Sequence, residues 1–227
     1  MDYGIFIILA IVAILVAVGI IIYLQVRTDE VSEYLETHDR VTVLLVQERG
    51  GEAVFSQLVV LDTRTRKMGV FDVPGHLGTV VESLDRIDRI DTIYNQGDVP
   101  AYRAAVSETY GIDIPFTLVL DQSGLEQLVD MVEGVELFIT ESFQQEETGQ
   151  DFRIPGGSVV LDGAKAVDYA RAELPGESYA ARASRAQKLT QSLFQSIGEH
   201  AELLRKENVL AYVHGALKTD LDRRSVA

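Results

Sequence analysis

The sequence contains no cysteine. That excludes a disulfide, a thiolate metal site and a cysteine nucleophile, and it suits an exported protein. Basic residues are scarce: 20 Lys and Arg stand against 35 Asp and Glu, for a net charge of −15. This argues against nucleic acid, whose binding needs clustered Lys and Arg. It argues equally against broad docking on anionic lipid. An anionic ligand would need a local basic pocket within an acidic surface. The four histidines, His38, His76, His200 and His214, show neither HExxH nor any other ligand spacing. Gly50-Gly51 and Gly156-Gly157 lie in no Walker or dinucleotide pattern. Ser56 lacks the GxSxG elbow. Asp85, Asp88 and Asp91 interleave with Arg86 and Arg89 and read as a solvated charged face, since the glycine and terminal glutamate of an EF-hand loop are missing.

What the chain does have is one long apolar run. Ile5 to Leu24 carries no charge, and at about 1.5 Å per residue it matches a bilayer core of roughly 30 Å. The leader MDYG is not basic and no clear cleavage site follows, so a membrane anchor is expected rather than a signal peptide. No face of the run is polar, which sets aside a buried soluble helix. Loop charge does not orient the span: Arg27 follows it, but so do Asp29, Glu30 and Glu33, and no Lys or Arg precedes it. Residues 1–27 therefore read as an anchor, 28–40 as a juxtamembrane helix or linker, and 41–227 as one domain large enough for a good core.

Within that domain, short β-rich runs alternate irregularly with capped helices. Val41 to Val46 is a buried strand by composition. Val54 to Leu61 and Met68 to Val73 flank DTRTRK as a hairpin. Asp98 caps a helix that runs to Tyr110, with Pro100 in its first turn and Gly111 past its end. Phe116 to Leu120 and Val135 to Ile139 are strands, and Ser123 to Val132 is an amphipathic helix. Phe143 to Asp151 reads as a mobile acidic loop. Asp162 caps a helix over Gly163 to Ala172, and a long helix is predicted from Tyr179 to about Lys206. The pattern predicts an α/β fold, a three-layer α/β/α arrangement around a central mixed β-sheet, preceded by one transmembrane helix.

Five stretches, taken in order, resemble the LytR-CpsA-Psr family. SQLVVLDTRTRKMGVFDVPGH, residues 56–76, is similar to a hairpin of the form S-D-T, strand, N-x-x-T-K, strand, I-P-R-D. RIDTIY, residues 89–94, resembles K-I-N-x-A-Y, and YGIDIPFTLVLDQSGLEQLVDMVEGVELFI, residues 110–139, resembles the family's core stretch. LDGAKAVDYAR, residues 161–171, is similar to L-x-G-x-x-A-L-x-Y-x-R, and ARASRAQKL, residues 181–189, to the R-x-x-R-Q helix. The resemblance covers about residues 41 to 221. It implies a membrane-anchored protein of the cell membrane, its soluble domain extracytoplasmic. Such proteins transfer glycopolymers from polyprenyl-pyrophosphate carriers to the cell wall, and Mg²⁺ would be expected if this one is active.

The chemistry departs from the family pattern. Gln57 stands where the family has the Asp of S-D-T, Gly75 and His76 where it has Arg and Asp, Glu173 where it has a second Arg, and Ala186 where it has Gln, with Gln187 adjacent. Glu48 lies near the family's early aspartate. A glycine cannot make the bidentate bonds an arginine makes to phosphate, and a neutral Gln57 cannot help to charge-neutralise Mg²⁺. By resemblance, the phosphate-binding residues that persist are Arg171, Arg182 and Arg185, with Gln187. These arginines could equally pair with nearby acids, because Arg182 and Arg185 share a helix face and Arg171 is close to Glu173 and Glu177. The Leu and Val runs could be core or a groove for a lipid tail. Three functions are therefore compatible with the sequence. The expectation adopted is a degenerate homologue, or pseudoenzyme, that binds a polyprenyl-phosphate lipid without efficient transfer. Its partners would be the bilayer and a polyprenyl-phosphate-linked glycan. The alternatives are an active divergent phosphotransferase and a purely structural or regulatory envelope protein.

Overall fold

The computed structural model describes residues 34, 37–81, 85–95, 97–140, 142–147, 150–172, 174, 176–200 and 218–219. The predicted membrane span, 5–24, and position 173 lie outside them. Among the described residues no helix is long and apolar enough to cross a membrane.

A five-stranded mixed sheet forms the centre. It consists of β1 (Arg40–Arg49), β2 (Glu52–Asp62), β3 (Lys67–Val73), β6 (Phe116–Leu120) and β11 (Lys218–Thr219), in the order β11-β6-β1-β2-β3. β1 and β6 are parallel, and the other pairs are antiparallel. Gly50 and Gly51 join β1 to β2 with positive φ at both positions, the conformation that a two-residue hairpin turn needs to match sheet twist. The tip of the next hairpin is held by Asp62, which accepts from the Thr65 amide at 2.7 Å.

Both faces of this sheet are covered, so its inner strands read as continuous apolar runs rather than alternating ones. On one face, Leu45, Val59 and Val70 pack against α3 (Gln122–Met131), α4 (Gly163–Arg171) and α5 (Tyr179–Glu199). On the other, Leu44, Val46, Leu58 and Val73 meet α1 (Asp91–Asn95) and α2 (Val99–Tyr110). Each of the four longer helices begins at the cap its sequence offers. Asp98, Asp121 and Asp162 accept amide protons at 2.9, 2.8 and 2.9 Å, and Ser178 caps α5. α2 ends at Gly111 in the left-handed conformation.

Three two-stranded ribbons flank the sheet. β7 (Val135–Ile139) pairs with β10 (Gly157–Leu161), β4 (Gly78–Val81) with β5 (Arg86–Arg89), and β8 (Phe143–Glu147) with β9 (Gln150–Ile154). The last pair corrects the expected acidic loop: Phe143 to Asp151 is most of a hairpin. FQQEE shows no alternation that would mark a half-buried strand, although its partner β9 ends in Ile154, which is buried in the core. The charged stretch 85–91 is likewise β5 and the start of α1, not simply a solvated face. α5 is described to Glu199, with His200 as its C-cap, and the predicted remainder to Lys206 lies outside the described residues.

α3 and α4 touch where α4 begins. The Gly163 amide donates to Asp130 at 2.7 Å, and a Cβ at Gly163 would lie 2.3 Å from the Glu126 carbonyl oxygen. Gly163→Ala should push these helices apart and cost about 1–3 kcal/mol, read as a lower urea midpoint. An unchanged midpoint would show that the contact yields freely.

Candidate functional site

β1, β3 and β6 all end at the same edge of the sheet, and β2 begins there. Ligands of open α/β sheets bind outside the carboxyl ends of parallel strands. Here that edge holds a polar cavity of about 320 Å³ whose wall includes Arg49, Ser56, Gly75, His76, Arg89, Asp91, Tyr179 and Arg182. A second hollow of about 290 Å³ adjoins it and shares Tyr179 and Arg182. Across Arg49, Val54 and Phe55 lies an apolar recess lined by Leu120, Leu125, Val167 and Ala170, with Arg171 in its wall.

Three chain segments supply arginines, and a fourth supplies a histidine. Arg49 is the last residue of β1 before the glycine turn. Arg182 stands on the first turns of α5, its guanidinium 5.6 Å from the centroid of the Phe55 ring. Arg89 closes β5 and forms a two-pronged pair with Asp91, with Nε donating to Oδ1 at 3.0 Å and the second bond running from Nη2 to Oδ2. His76 follows β3, with its ring edge-on to Tyr179 at 5.0 Å. Tyr179 in turn donates to Asp72 at 2.7 Å. Burial raises the Tyr179 hydroxyl above its ordinary pKa, and the bond to Asp72 adds to the shift.

The four residues singled out by resemblance separate in space. Arg182 reaches the polar cavity. Arg171 lies at the recess and pairs with Asp168 at 3.2 Å. Arg185 is only 8% exposed. It bonds both oxygens of Glu177, at 3.1 and 2.9 Å, along with the Tyr169 carbonyl and, at 2.6 Å, that of Ala172. Gln187 donates to the Val70 carbonyl at 3.3 Å. Neither Arg185 nor Gln187 lines these cavities; their polar groups hold the fold together. The sequence reading missed Arg49 and Arg89. A signal was present for Arg89: the residue it pairs with, Asp91, carries a charge where the family pattern has asparagine.

The positions that would hold a metal do not fit one. Gln57 is 1% exposed, and its Oε1 accepts from Thr190 on α5 at 2.7 Å. Glu48 lies in the wall of the apolar recess and accepts from Tyr94 at 2.6 Å, and burial together with Glu48 raises the pKa of Tyr94. Among the described residues no group of three or more His, Asp or Glu could hold a metal ion. Beside the Ser56 wall, the Tyr102 hydroxyl donates to Ser56 at 2.7 Å, and burial pushes its pKa up to about 12.

Two outcomes test these assignments. Arg185→Ala leaves Glu177 buried without its partner and should cost about 3–5 kcal/mol, measured by urea unfolding; a cost below 1 kcal/mol would remove the structural role. Asp72 is the second case. Burial raises its carboxyl pKa, against smaller opposing effects of the Tyr179 bond and the His76 charge. A raised carboxyl pKa favours the fold at low pH, and that contribution is lost as pH climbs from the unfolded value of about 3.9 through the folded one. Asp72→Asn should therefore gain stability relative to the parent between pH 3 and pH 7. A difference that stays flat or falls would contradict this origin of the shift.

Comparison with known proteins agrees with this architecture. Residues 57–227 match the model of the LytR_cpsA_psr family. A protein of Enterococcus faecalis named polyisoprenyl-teichoic acid–peptidoglycan teichoic acid transferase TagU is 28% identical over 152 residues, 66% of this chain and 46% of its own. The Bacillus cereus protein of the same name is 25% identical over 201 residues, 86% of this chain and 64% of its own. The chain thus spans about half to two-thirds of the length of these relatives. The crystal structure of B. subtilis TagV superposes with a TM-score of 0.69 at 16% identity, covering 82% of this chain and 76% of that one.

Proposed function

The chain belongs to the LytR-CpsA-Psr family, and from that premise we propose that it holds the phosphate of a polyprenyl-linked glycan precursor in the arginine-lined cavity, without efficient transfer. In this reading residues 5–24 anchor it in the cell membrane and the domain faces the envelope. The observation that carries the proposal is the gathering of Arg49, Arg89 and Arg182 around one cavity in a chain of net charge −15. Guanidinium groups make charge-assisted, directional bonds to phosphate oxygens, and this concentration of them runs against the general charge of the molecule. The N-terminus of α5, at Tyr179, adds its dipole at the same wall. The neighbouring recess offers apolar surface for the first part of a prenyl tail, with Arg49 between the two. The relatives' names specify polyisoprenyl-linked teichoic acid, the same ligand chemistry.

Slow or absent transfer follows from the residues at the family's metal positions. Gln57 is neutral and sealed behind α5, so it supplies no charge to the cavity. Phosphoryl transfer is almost wholly positioning and charge stabilisation, and losing one electrostatic stabiliser typically lowers rates about 10²–10³-fold. Among the described residues no cluster of carboxylates or histidines forms a Mg²⁺ site. The second reading, active transfer, draws on the relatives' names and on His76 at the cavity wall, where the family pattern has aspartate.

The test is titration of the full chain in detergent with geranylgeranyl pyrophosphate, followed by a prenyl-pyrophosphate sugar with Mg²⁺ or Mn²⁺. Binding is expected to weaken about tenfold or more in Arg182→Ala and further with Arg171→Ala, with no product formed. Binding unchanged in the double variant would overturn the proposal. Product that disappears in Arg182→Ala would establish the transferase instead.

A further inference from the structure

Gly75 and Asp91 meet at one point in the cavity wall. A Cβ built on Gly75 would lie 2.6 Å from Asp91 Oδ2 and 3.0 Å from both its Cβ and Cγ. No side chain fits at 75 while Asp91 stays where it is. Asp91 is 6% exposed, and its amide donates to the Gly75 carbonyl at 3.2 Å. Its carboxylate takes Nε and Nη2 of Arg89. The Arg89 side chain nevertheless remains 62% exposed, and its Nη1 makes no hydrogen bond among the described residues.

We propose that Asp91 is a positioning residue: seated in the space that a side chain at 75 would take, it holds the Arg89 guanidinium at the cavity as an anion-binding group. This rests on the anion-binding reading above and names the device that aims one of its cations. The pair compensates a buried carboxylate, and it also orients the exposed guanidinium. An arginine carries about 2 kcal/mol of rotamer entropy, and a guanidinium immobilised before the ligand arrives avoids most of that cost on binding. The carboxylate occupies one edge of the guanidinium and leaves the other edge to a phosphate.

This role makes a prediction whose sign separates it from simple electrostatics. Removing a carboxylate from an anion site should tighten binding if charge alone matters. If Asp91 positions Arg89, Asp91→Asn should weaken it. The experiment is calorimetric titration of the full chain in detergent with inorganic pyrophosphate, with thermal melts of each variant. Arg89→Ala, Asp91→Asn and Gly75→Ala are each expected to weaken binding roughly tenfold. Gly75→Ala or Asp91→Asn added to Arg89→Ala should bring no further loss. Unchanged or tighter binding in Asp91→Asn overturns the inference, and that variant decides the matter if Gly75→Ala does not fold. Normal binding by the parent with no response in these variants sinks the positioning role alone. A parent that binds no pyrophosphate sinks the anion-binding reading, and this inference with it.

Discussion

Arg185 makes four hydrogen bonds from a nearly sealed position. Two go to carbonyls at the end of α4, Tyr169 and Ala172, which the helix leaves without an internal partner. Two go to Glu177, in the connection that leads to α5. One guanidinium therefore fixes the end of one helix, the following turn and the start of the next. The cavity depends on this. Tyr179 and Arg182, its wall on the α5 side, lie six and three residues before Arg185 in the chain, and their approach to β2 and β3 is set by where that clamp holds the helix. Breaking the pair would leave a buried carboxylate uncompensated, a penalty far larger than an exposed pair ever returns.

The rest of the site follows from strand direction. Because β1, β3 and β6 point the same way, Arg49, the turn after β3, and the Leu120–Gln122 junction converge at one edge. The β4–β5 ribbon then delivers Arg89 to that edge from the other side of the sheet. Cations separated by up to 133 residues, Arg49 and Arg182, thus share one wall. The acidic surface and the basic cavity are compatible for the same reason: the total charge is spread over the molecule, while a few guanidinium groups are concentrated by topology.

Elements defined by local chemistry were legible in the sequence. β1, β2, β3 and β6 show as apolar runs, α2 and α4 through their caps and the glycine after Tyr110, and α3 through its amphipathic pattern. The ribbons were harder. β8 and β9, FQQEE and QDFRI, are mostly polar in sequence, and β5 is hidden in alternating charges. Strands of that kind are specified by the ladder they join and leave little periodicity to read. Gly50-Gly51 matches no phosphate-loop pattern in the sequence, and in the structure it forms the β1–β2 hairpin turn. Gly75 was noticed as a loss. That its empty space is filled by Asp91 could not be read from a linear pattern, because sixteen residues separate them.

Sequence alone determined the family, the sheet-forming runs, the capped helices and the absence of the expected charged groups at 57 and 75. It left Arg182 and Arg185 equivalent, three residues apart on one helix face. Only the tertiary structure divided them. Arg185 falls over the end of α4, where orphan carbonyls and Glu177 compensate its burial, whereas Arg182 overhangs the sheet edge beside Phe55 and the cavity. Helical spacing sets which side chains share a face; what that face meets along its length depends on elements distant in the chain, and burial and bonding partners are decided there.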